Sequence, residues 1–540
     1  MIMCKVIKLK YRFVLLGCCL LSFIFIVAIN VVINAKQNGT NRTIETSKGI
    51  GLNEINQIDH NDQTNSLLFL SISEKNLPPN SPISNKTTSQ NIIYKNFHLK
   101  RSITDRKKDR SKPWFMTNGT IWPQKSQNFR LSVWPEDLSR IELEQHSPIS
   151  ASTYDRIVNQ LMYIPDDYDQ NDFVPFGKRQ LKKILLANGK HGWNDLLLGR
   201  EQFVKDKCPV NACFLATDPR LMDRADVVLF KDRFVWPQNG RYSNMNQLWI
   251  LFLLESPMNT QSFAKLPPNL FNLTATYRHD SDIVAPYEKY LPYNSIWPND
   301  NDDDGDSGVS NRMFIDKQQR NYAEGKTKKI AWFVSNCNTK NKRMEYVRQL
   351  SKFIEVDIFG SCGRNKCPRN QSKRCFEMLD RDYKFYLAFE NSNCRDYITE
   401  KFFVNALGLN DELNVIPIVL GANPEDYQRS APPNSFIHVS NFESPSHLAT
   451  YLHWLDRNDD VYNSFFDWKR SPKDGEFINT YFWCRLCTMI HAIESNPKPS
   501  GPSYQNIADW WSSSNICLKN GQYHWPFEQR STENSFSFVI

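Results

Sequence analysis

The stretch KFYLAFENSNCRDYITEK, residues 384–401, decides how this chain folds. Its first half is a near-continuous apolar run, the pattern of a strand buried on both faces. The run stops at Glu390-Asn391, and the spacing predicts a helix from near Asp396, with the Asp396 carboxylate as its cap. Strand, short turn and helix make the repeating unit of an α/β fold, and the free N–H groups of such a helix start suit a diphosphate. On that helix Tyr397, Glu400 and Lys401 stand at i, i+3 and i+4 and share one face, while Ile398 and Phe402 form an apolar stripe. A ring, a carboxylate and an ammonium presented together at a strand's carboxyl end make a binding surface. The same spacing also fits a salt-bridged surface helix.

Working outward, the pattern repeats on both sides. KILLANG (183–189), CFLAT (213–217), DVVLF (226–230) and LWILFLLES (248–256) read as one set of buried strands. IAWFVSN (330–336), FIEVDIFG (353–360), KFYLAFEN (384–391) and VIPIVLG (415–421) read as a second. Apolar strands alternating with helices predict parallel sheets in two α/β domains, 161–325 and 326–495, with an extension over 496–540. Ligands of such sheets bind beyond the carboxyl ends of the strands. The acidic run Asn299 to Gly308 resembles a metal-binding DxD, yet it falls between the two sets rather than after a strand and reads as a solvated loop.

The N-terminus has a different character. Phe13 to Ile33 is a 21-residue apolar stretch, about 31 Å as a helix and enough to span a bilayer. Lys5, Lys8, Lys10 and Arg12 precede it with no acidic residue, which predicts a cytosolic tail (1–12), a type II transmembrane helix (13–33) and a luminal remainder. Residues 34–160, rich in Asn, Ser, Thr and Lys, read as a largely disordered stem. The net charge of +8 is local. The tail carries +4 and Lys95 to Lys112 carries +6, leaving −2 for everything else, and that balance excludes a nucleic-acid partner.

Ten of the thirteen cysteines lie beyond the anchor, on the oxidising side, where disulfides are expected, among them Cys208, Cys213, Cys362, Cys367, Cys375, Cys484 and Cys487. Connectivity is not fixed by the sequence. The lone CxxC at Cys484 and Cys487 has no second pair at zinc spacing, so no metal site is expected. Sequons at Asn38, Asn41, Asn85, Asn118, Asn272 and Asn370 fit luminal placement as glycosylation sites.

Residues 384–401 resemble the donor-binding signature of the α1,3-fucosyltransferase family (glycosyltransferase family ten), which reads close to FYLxFENSxxxDYITEK. The resemblance extends through VIPIVLGANPEDYQRSAPPNSFIHVSNFESP (415–445), FVSNCNTKNKRMEYVRQL (333–350) and FNLTATYRHDSDIVAPY (271–287), and covers roughly 180–490. It implies two Rossmann-like domains facing across a cleft (GT-B type), the first on the acceptor side and the second binding GDP-fucose. By the same resemblance Arg343 and Lys401 hold the diphosphate, with Asn336, Asn391, Tyr397 and Glu400 around the phosphates and fucose. The family's base lies in a WxxxxxESP context, which here gives Glu255, with Asp280 and Asp282 as alternatives. Glu255 directly follows an apolar run, so it should emerge at a strand's carboxyl end, where burial would raise its pKa.

The implied activity is inverting transfer of L-fucose from GDP-β-L-fucose to O3 of GlcNAc by a Golgi membrane enzyme. No tightly bound cofactor is needed, and Mn2+ would at most stimulate. Asn393-Cys394-Arg395 and the SCGRNKCP segment (361–368) resemble the invertebrate and plant branch that acts on the innermost asparagine-linked GlcNAc of an N-glycan acceptor. A Lewis-type enzyme acting on N-acetyllactosamine is the first alternative, and a protein O-fucosyltransferase another. A non-catalytic glycan-binding module would show decay at Glu255, Arg343 or Lys401, and all three residue types are present.

Overall fold

The computed structural model describes residues 112–125, 132–135, 155–168, 181–193, 195–237, 246–293, 320–408, 413–470 and 475–525. Two five-stranded, wholly parallel sheets form its frame. The first contains β1 (Lys182–Leu186), β2 (Cys213–Ala216), β3 (Val227–Lys231), β4 (Leu248–Leu253) and β5 (Leu273–Thr276), in the order β2-β1-β3-β4-β5. After β6 (Tyr290–Pro292), the second contains β7 (Lys328–Phe333), β8 (Val356–Phe359), β9 (Tyr383–Phe389), β10 (Ile416–Leu420) and β11 (Ile437–His438), in the order β11-β10-β9-β7-β8. Every residue of β9 and β10 is buried, which is why those strands are apolar without alternation. The chain leaves β7 outward to β8 and then crosses back to β9 on the other side. That reversal opens a crevice at the carboxyl ends of β7 and β9.

All eight expected strands are present within a few residues of their expected limits; within the two five-stranded sheets β5 and β11 are additional. Three boundaries differ from the sequence reading. Residues 112–125 and 132–135, expected in the stem, are packed into the first domain's core. Trp134 is fully buried, with its indole N–H on the Asn496 carbonyl (3.0 Å), and the Trp114 indole donates to the Leu161 carbonyl (3.0 Å) beside α1 (Arg156–Leu161). Large aromatic surfaces supply the burial that a stem lacks. Expected with the second domain, the helix Phe482–Ala492 instead packs on the first, where Trp483, Leu486, Met489 and Ile490 enter the core with Ile184 and Leu215. The extension after residue 495 is also folded. Its helix Ile507–Ser512 buries Ile507 and Trp511 against β4 and Tyr397.

Hereafter the helices are α2 (Arg343–Leu350), α3 (Pro424–Ser430), α4 (Phe482–Ala492) and α5 (Ile507–Ser512). Cys208–Cys484 and Cys213–Cys487 staple α4 to the first sheet, so the two cysteines of the CxxC bond elsewhere rather than to each other. Cys337–Cys362, Cys367–Cys375 and Cys394–Cys517 complete five bridges that use all ten cysteines beyond residue 19. A short antiparallel pair, β6 with β12 (Gly475–Phe477), adds a further link between segments far apart in sequence.

The expected transmembrane helix, the acidic run 299–308 and the sequons at Asn38, Asn41 and Asn85 lie outside the described residues. Among the described residues no helix is long and apolar enough to cross a membrane. Asn118 and Asn370 are exposed. Asn272 is not an open acceptor. Its amide donates to the Pro502 carbonyl (2.8 Å), its oxygen accepts from the Trp249 N–H (2.8 Å), and the hydroxyl-bearing Thr274 of its sequon is buried in β5.

The two α4 staples are neighbours, five residues apart on one side and three on the other. With one intact the other closes only a small ring, so removing either by Cys→Ala should cost about 2–3 kcal/mol. Removing both reopens a loop of a few hundred residues, and the last to go should cost about 5 kcal/mol. Thermal unfolding of the oxidised Cys213→Ala/Cys487→Ala protein and of the fourfold variant should therefore show a loss greater than additive; strictly additive losses would contradict the stapling geometry.

Candidate active site

The crevice beyond β7 and β9 is built on a buried carboxylate. β9 ends at Phe389, and Glu390, wholly enclosed, accepts from the Thr399 N–H (2.8 Å) and its hydroxyl (2.8 Å) and lies 3.1 Å from Lys401 Nζ. Burial pushes the Glu390 carboxyl up, and the Lys401 ammonium opposes that push. Burial alone would pull the Lys401 ammonium down, but Glu390 and Glu400 outweigh it and raise its pKa. Lys401 also donates to the Thr399 hydroxyl (2.9 Å) and to Glu400 (3.0 Å). Across the crevice Arg343 opens α2. Its guanidinium, 3% exposed, donates to the carbonyls of Phe389 and of Asn336 (3.2 Å), and burial draws its pKa below the ordinary value. Asn336 itself is exposed. Three buried polar atoms here, Arg343 Nε, Asn391 Oδ1 and Glu400 Oε2, have no hydrogen-bond partner among the described residues. Such orphaned groups gather where a polar ligand belongs.

The helix expected from Asp396 begins instead at Glu400, and Thr399 caps it by accepting from the Lys401 N–H. Asp396 adopts a left-handed backbone (φ 59°), and the non-helical residues 397–399 separate it from the helix. Tyr397 therefore does not share a helix face with Glu400 and Lys401. It points across the cleft. Its hydroxyl donates to Glu255 Oε1 at 2.6 Å, and its ring, fully buried, packs 5.0 Å from Tyr277. Burial first, and Glu255 second, hold the Tyr397 phenol well above its ordinary pKa, so it remains a donor.

Glu255 follows β4 as expected and is half-buried. Its Oε1 also accepts from the Ser256 N–H (2.9 Å) and from the amides of Asn259 and Asn391 (3.3 Å each). Among the described residues, every hydrogen bond to this carboxylate falls on Oε1. Close by, the Ser256 hydroxyl donates to that of Ser392 (2.7 Å), and Tyr287 donates to the Leu254 carbonyl (3.0 Å). The alternative bases are engaged. Asp280 pairs with Arg278, while the enclosed Asp282 accepts from Thr274 and Tyr504 and lies 3.3 Å from Lys498.

The sequence reading missed a second cluster. Asp396 accepts from both the backbone N–H (3.2 Å) and Nδ1 (2.6 Å) of His279, its own N–H donates to Asp426 (2.7 Å), and Arg429 of α3 bonds both carboxylates. His279, Asp396 and Asp426 bring ligand atoms within 4.8 Å of one another, but the guanidinium of Arg429 already occupies both carboxylates as counter-ion. A second such grouping, Cys213, Cys487 and His491, has both sulfurs in disulfides. The only advance sign of the first cluster was the acidic and basic content of YRHDSD and ANPEDYQR, which do not meet in sequence.

The residues that shape this cleft lie within two family matches: the fucosyltransferase N-terminal model over residues 179–288, and the C-terminal model of glycosyltransferase family 10 (fucosyltransferase) over 323–510. The chain is also 46% identical over 406 residues to glycoprotein 3-alpha-L-fucosyltransferase A of Drosophila melanogaster, covering 75% of this chain and 74% of that protein. The chain belongs to glycosyltransferase family 10. It is therefore a glycosyltransferase, as the resemblance implied. A second relative, alpha-(1,3)-fucosyltransferase C of the same organism, is 35% identical over 325 residues, covering 57% of this chain and 71% of that one. A solved alpha1,3-fucosyltransferase with GDP-fucose matches 59% of this chain and 93% of its own at 17% identity and a TM-score of 0.37, too loose a superposition to argue from.

Within this family 10 cleft, burial and the neighbouring Asp396 push the Asp426 carboxyl up to about 7. The folded protein keeps a proton there that the unfolded chain releases near the ordinary aspartate range. That contribution to stability is complete below the ordinary range and is lost as pH rises through about 7. The thermal midpoint should fall across that window in the wild type and fall less steeply in Asp426→Asn, where the buried Glu288 carboxyl, also pushed up to about 7, keeps part of the slope; parallel slopes would contradict this assignment.

Proposed function

We propose that the protein is an inverting α1,3-fucosyltransferase that moves L-fucose from GDP-β-L-fucose to O3 of the innermost asparagine-linked GlcNAc of N-glycans. The observation that carries this reading is the 2.6 Å bond by which Tyr397, on the cation-bearing side of the cleft, holds Glu255 from the other. One carboxylate oxygen is fixed and the other is left for an incoming hydroxyl. In the proposed step Glu255 takes the proton from that hydroxyl, whose oxygen forms a bond to the anomeric carbon as the bond to the diphosphate breaks on the opposite side. The electron pair leaves with GDP, and inversion follows from this geometry. Arg343 and Lys401 stabilise the charge growing on the diphosphate. Glu400 offers a carboxylate to the sugar as it gains oxocarbenium character, and Asn336 and Asn391 complete the donor side. Two cations can serve the diphosphate, so the chemistry requires no resident metal. Mn2+ would act, if at all, on release of GDP.

The acceptor assignment is supported by the Drosophila relative's name, a glycoprotein fucosyltransferase, and by Asn393-Cys394-Arg395 in the donor loop. The apolar stretch 13–33, with basic residues before it, supports a type II Golgi membrane protein with its catalytic body in the lumen.

Incubation with GDP-fucose and either an N-glycan core or N-acetyllactosamine, with linkage read by mass spectrometry, tests the proposal. Fucose on the asparagine-linked GlcNAc is expected. Product on N-acetyllactosamine alone would move the enzyme to the Lewis type, and no product from folded protein would favour a glycan-binding module. Tyr397→Phe should lower kcat by about 10- to 100-fold with little change in KM for GDP-fucose, since it loosens the base rather than the donor. Arg343→Ala or Lys401→Ala should lower kcat by about 10²-fold or more.

A further inference from the structure

Beyond α5 the chain does not trail away. Residues 514–525 cross the carboxyl ends of the second sheet, beyond the last residue, 510, of the family 10 match. The Cys394–Cys517 disulfide ties this strap to the donor loop after β9. Around it the Arg395 N–H donates to the Ile516 carbonyl (2.8 Å), the Leu518 N–H to the Asn393 carbonyl (2.8 Å), and the Asn393 amide to the Gln522 carbonyl (2.8 Å). The strap then reaches both cation sites. The Tyr523 hydroxyl donates to the carbonyl of Lys342 (3.1 Å), the residue before Arg343, and its ring packs 5.0 Å from Tyr346 of α2. The Trp525 indole donates to the carbonyl of Gly421 (3.1 Å), just after β10. Gly421 lies against Glu390, the buried partner of Lys401. A Cβ at Gly421 would come within 2.7 Å of the Glu390 side chain.

The strap thus stands one residue from Arg343, is linked to Lys401 through Gly421 and Glu390, and brings a half-buried indole to the same end of the sheet. We infer that residues 514–525 form a wall of the donor-nucleotide site and that the Trp525 ring is the surface on which the purine of the nucleoside diphosphate stacks. This deepens the proposal that Arg343 and Lys401 hold the diphosphate, and rests on it. An aromatic face beside a phosphate site separates a nucleotide from a bare phosphate, because every base offers a π face and inorganic diphosphate offers none.

Hydrogen exchange of the full chain with and without GDP tests the placement in the wild-type protein. Protection is expected over 390–401, around 341–343 and across 514–525. Protection of the first two without the third would overturn the strap's role while leaving the donor site standing, and protection of none would remove the donor site and the strap's role with it. Binding of GDP and of inorganic diphosphate then tests the stack. Trp525→Ala should weaken GDP about tenfold and leave diphosphate unchanged, and Trp525→Phe should recover most of the loss. Unchanged GDP binding, or equal losses for both ligands, would overturn it.

Discussion

Tyr397 and Glu255 come from different sheets, and the hydrogen bond between them is where the two halves of the molecule become one site. It is short because a protonated phenol meets a carboxylate in a place largely closed to water. The phenol cannot ionise there, since burial and the carboxylate both resist it. The left-handed turn at Asp396 aims it, and that turn is held in place by His279, Arg429 and Asp426. A chain of polar contacts thus runs from the surface of the second sheet to the carboxylate of the first.

A single hydrogen bond contributes only about 1–2 kcal/mol net and cannot hold two sheets in register. The framework does that. Helix α4 returns from the end of the second sheet to the core of the first, locked by two disulfides. The β6–β12 pair adds another tie, and α5 with the strap a third, closed by Cys394–Cys517. The buried Glu390 plays a comparable part within the second sheet. It fixes Thr399 and Lys401, so the cation keeps its place and its charge.

The strands were legible because parallel strands buried on both faces carry continuous apolar runs, and the chemistry was legible where it sits directly after such a run. Glu255 is of that kind, whereas Arg343, ten residues beyond the end of β7, was placed by the resemblance. The helix near Asp396 was misread because i, i+3, i+4 spacing is indifferent to backbone handedness: Asp396 turns left, and Thr399, not Asp396, captures the helix start. The allegiance of α4 was hidden because a CxxC gives no sign that each sulfur pairs with a cysteine more than 270 residues away. Trp114 and Trp134 were lost in a polar background whose average composition resembles a stem. The His279–Asp396–Asp426–Arg429 cluster and the strap over β10 depend wholly on tertiary proximity, which no local pattern carries.

The central claim is that Glu255 accepts the acceptor's proton at the moment fucose leaves GDP. Its most direct test is to supply a nucleophile that has no proton to lose. In a Glu255→Ala protein given GDP-fucose, transfer to the glycan should fall to near background while GDP still binds, and added azide should restore GDP release with formation of α-fucosyl azide. Undiminished transfer to the glycan by the folded variant would contradict the account.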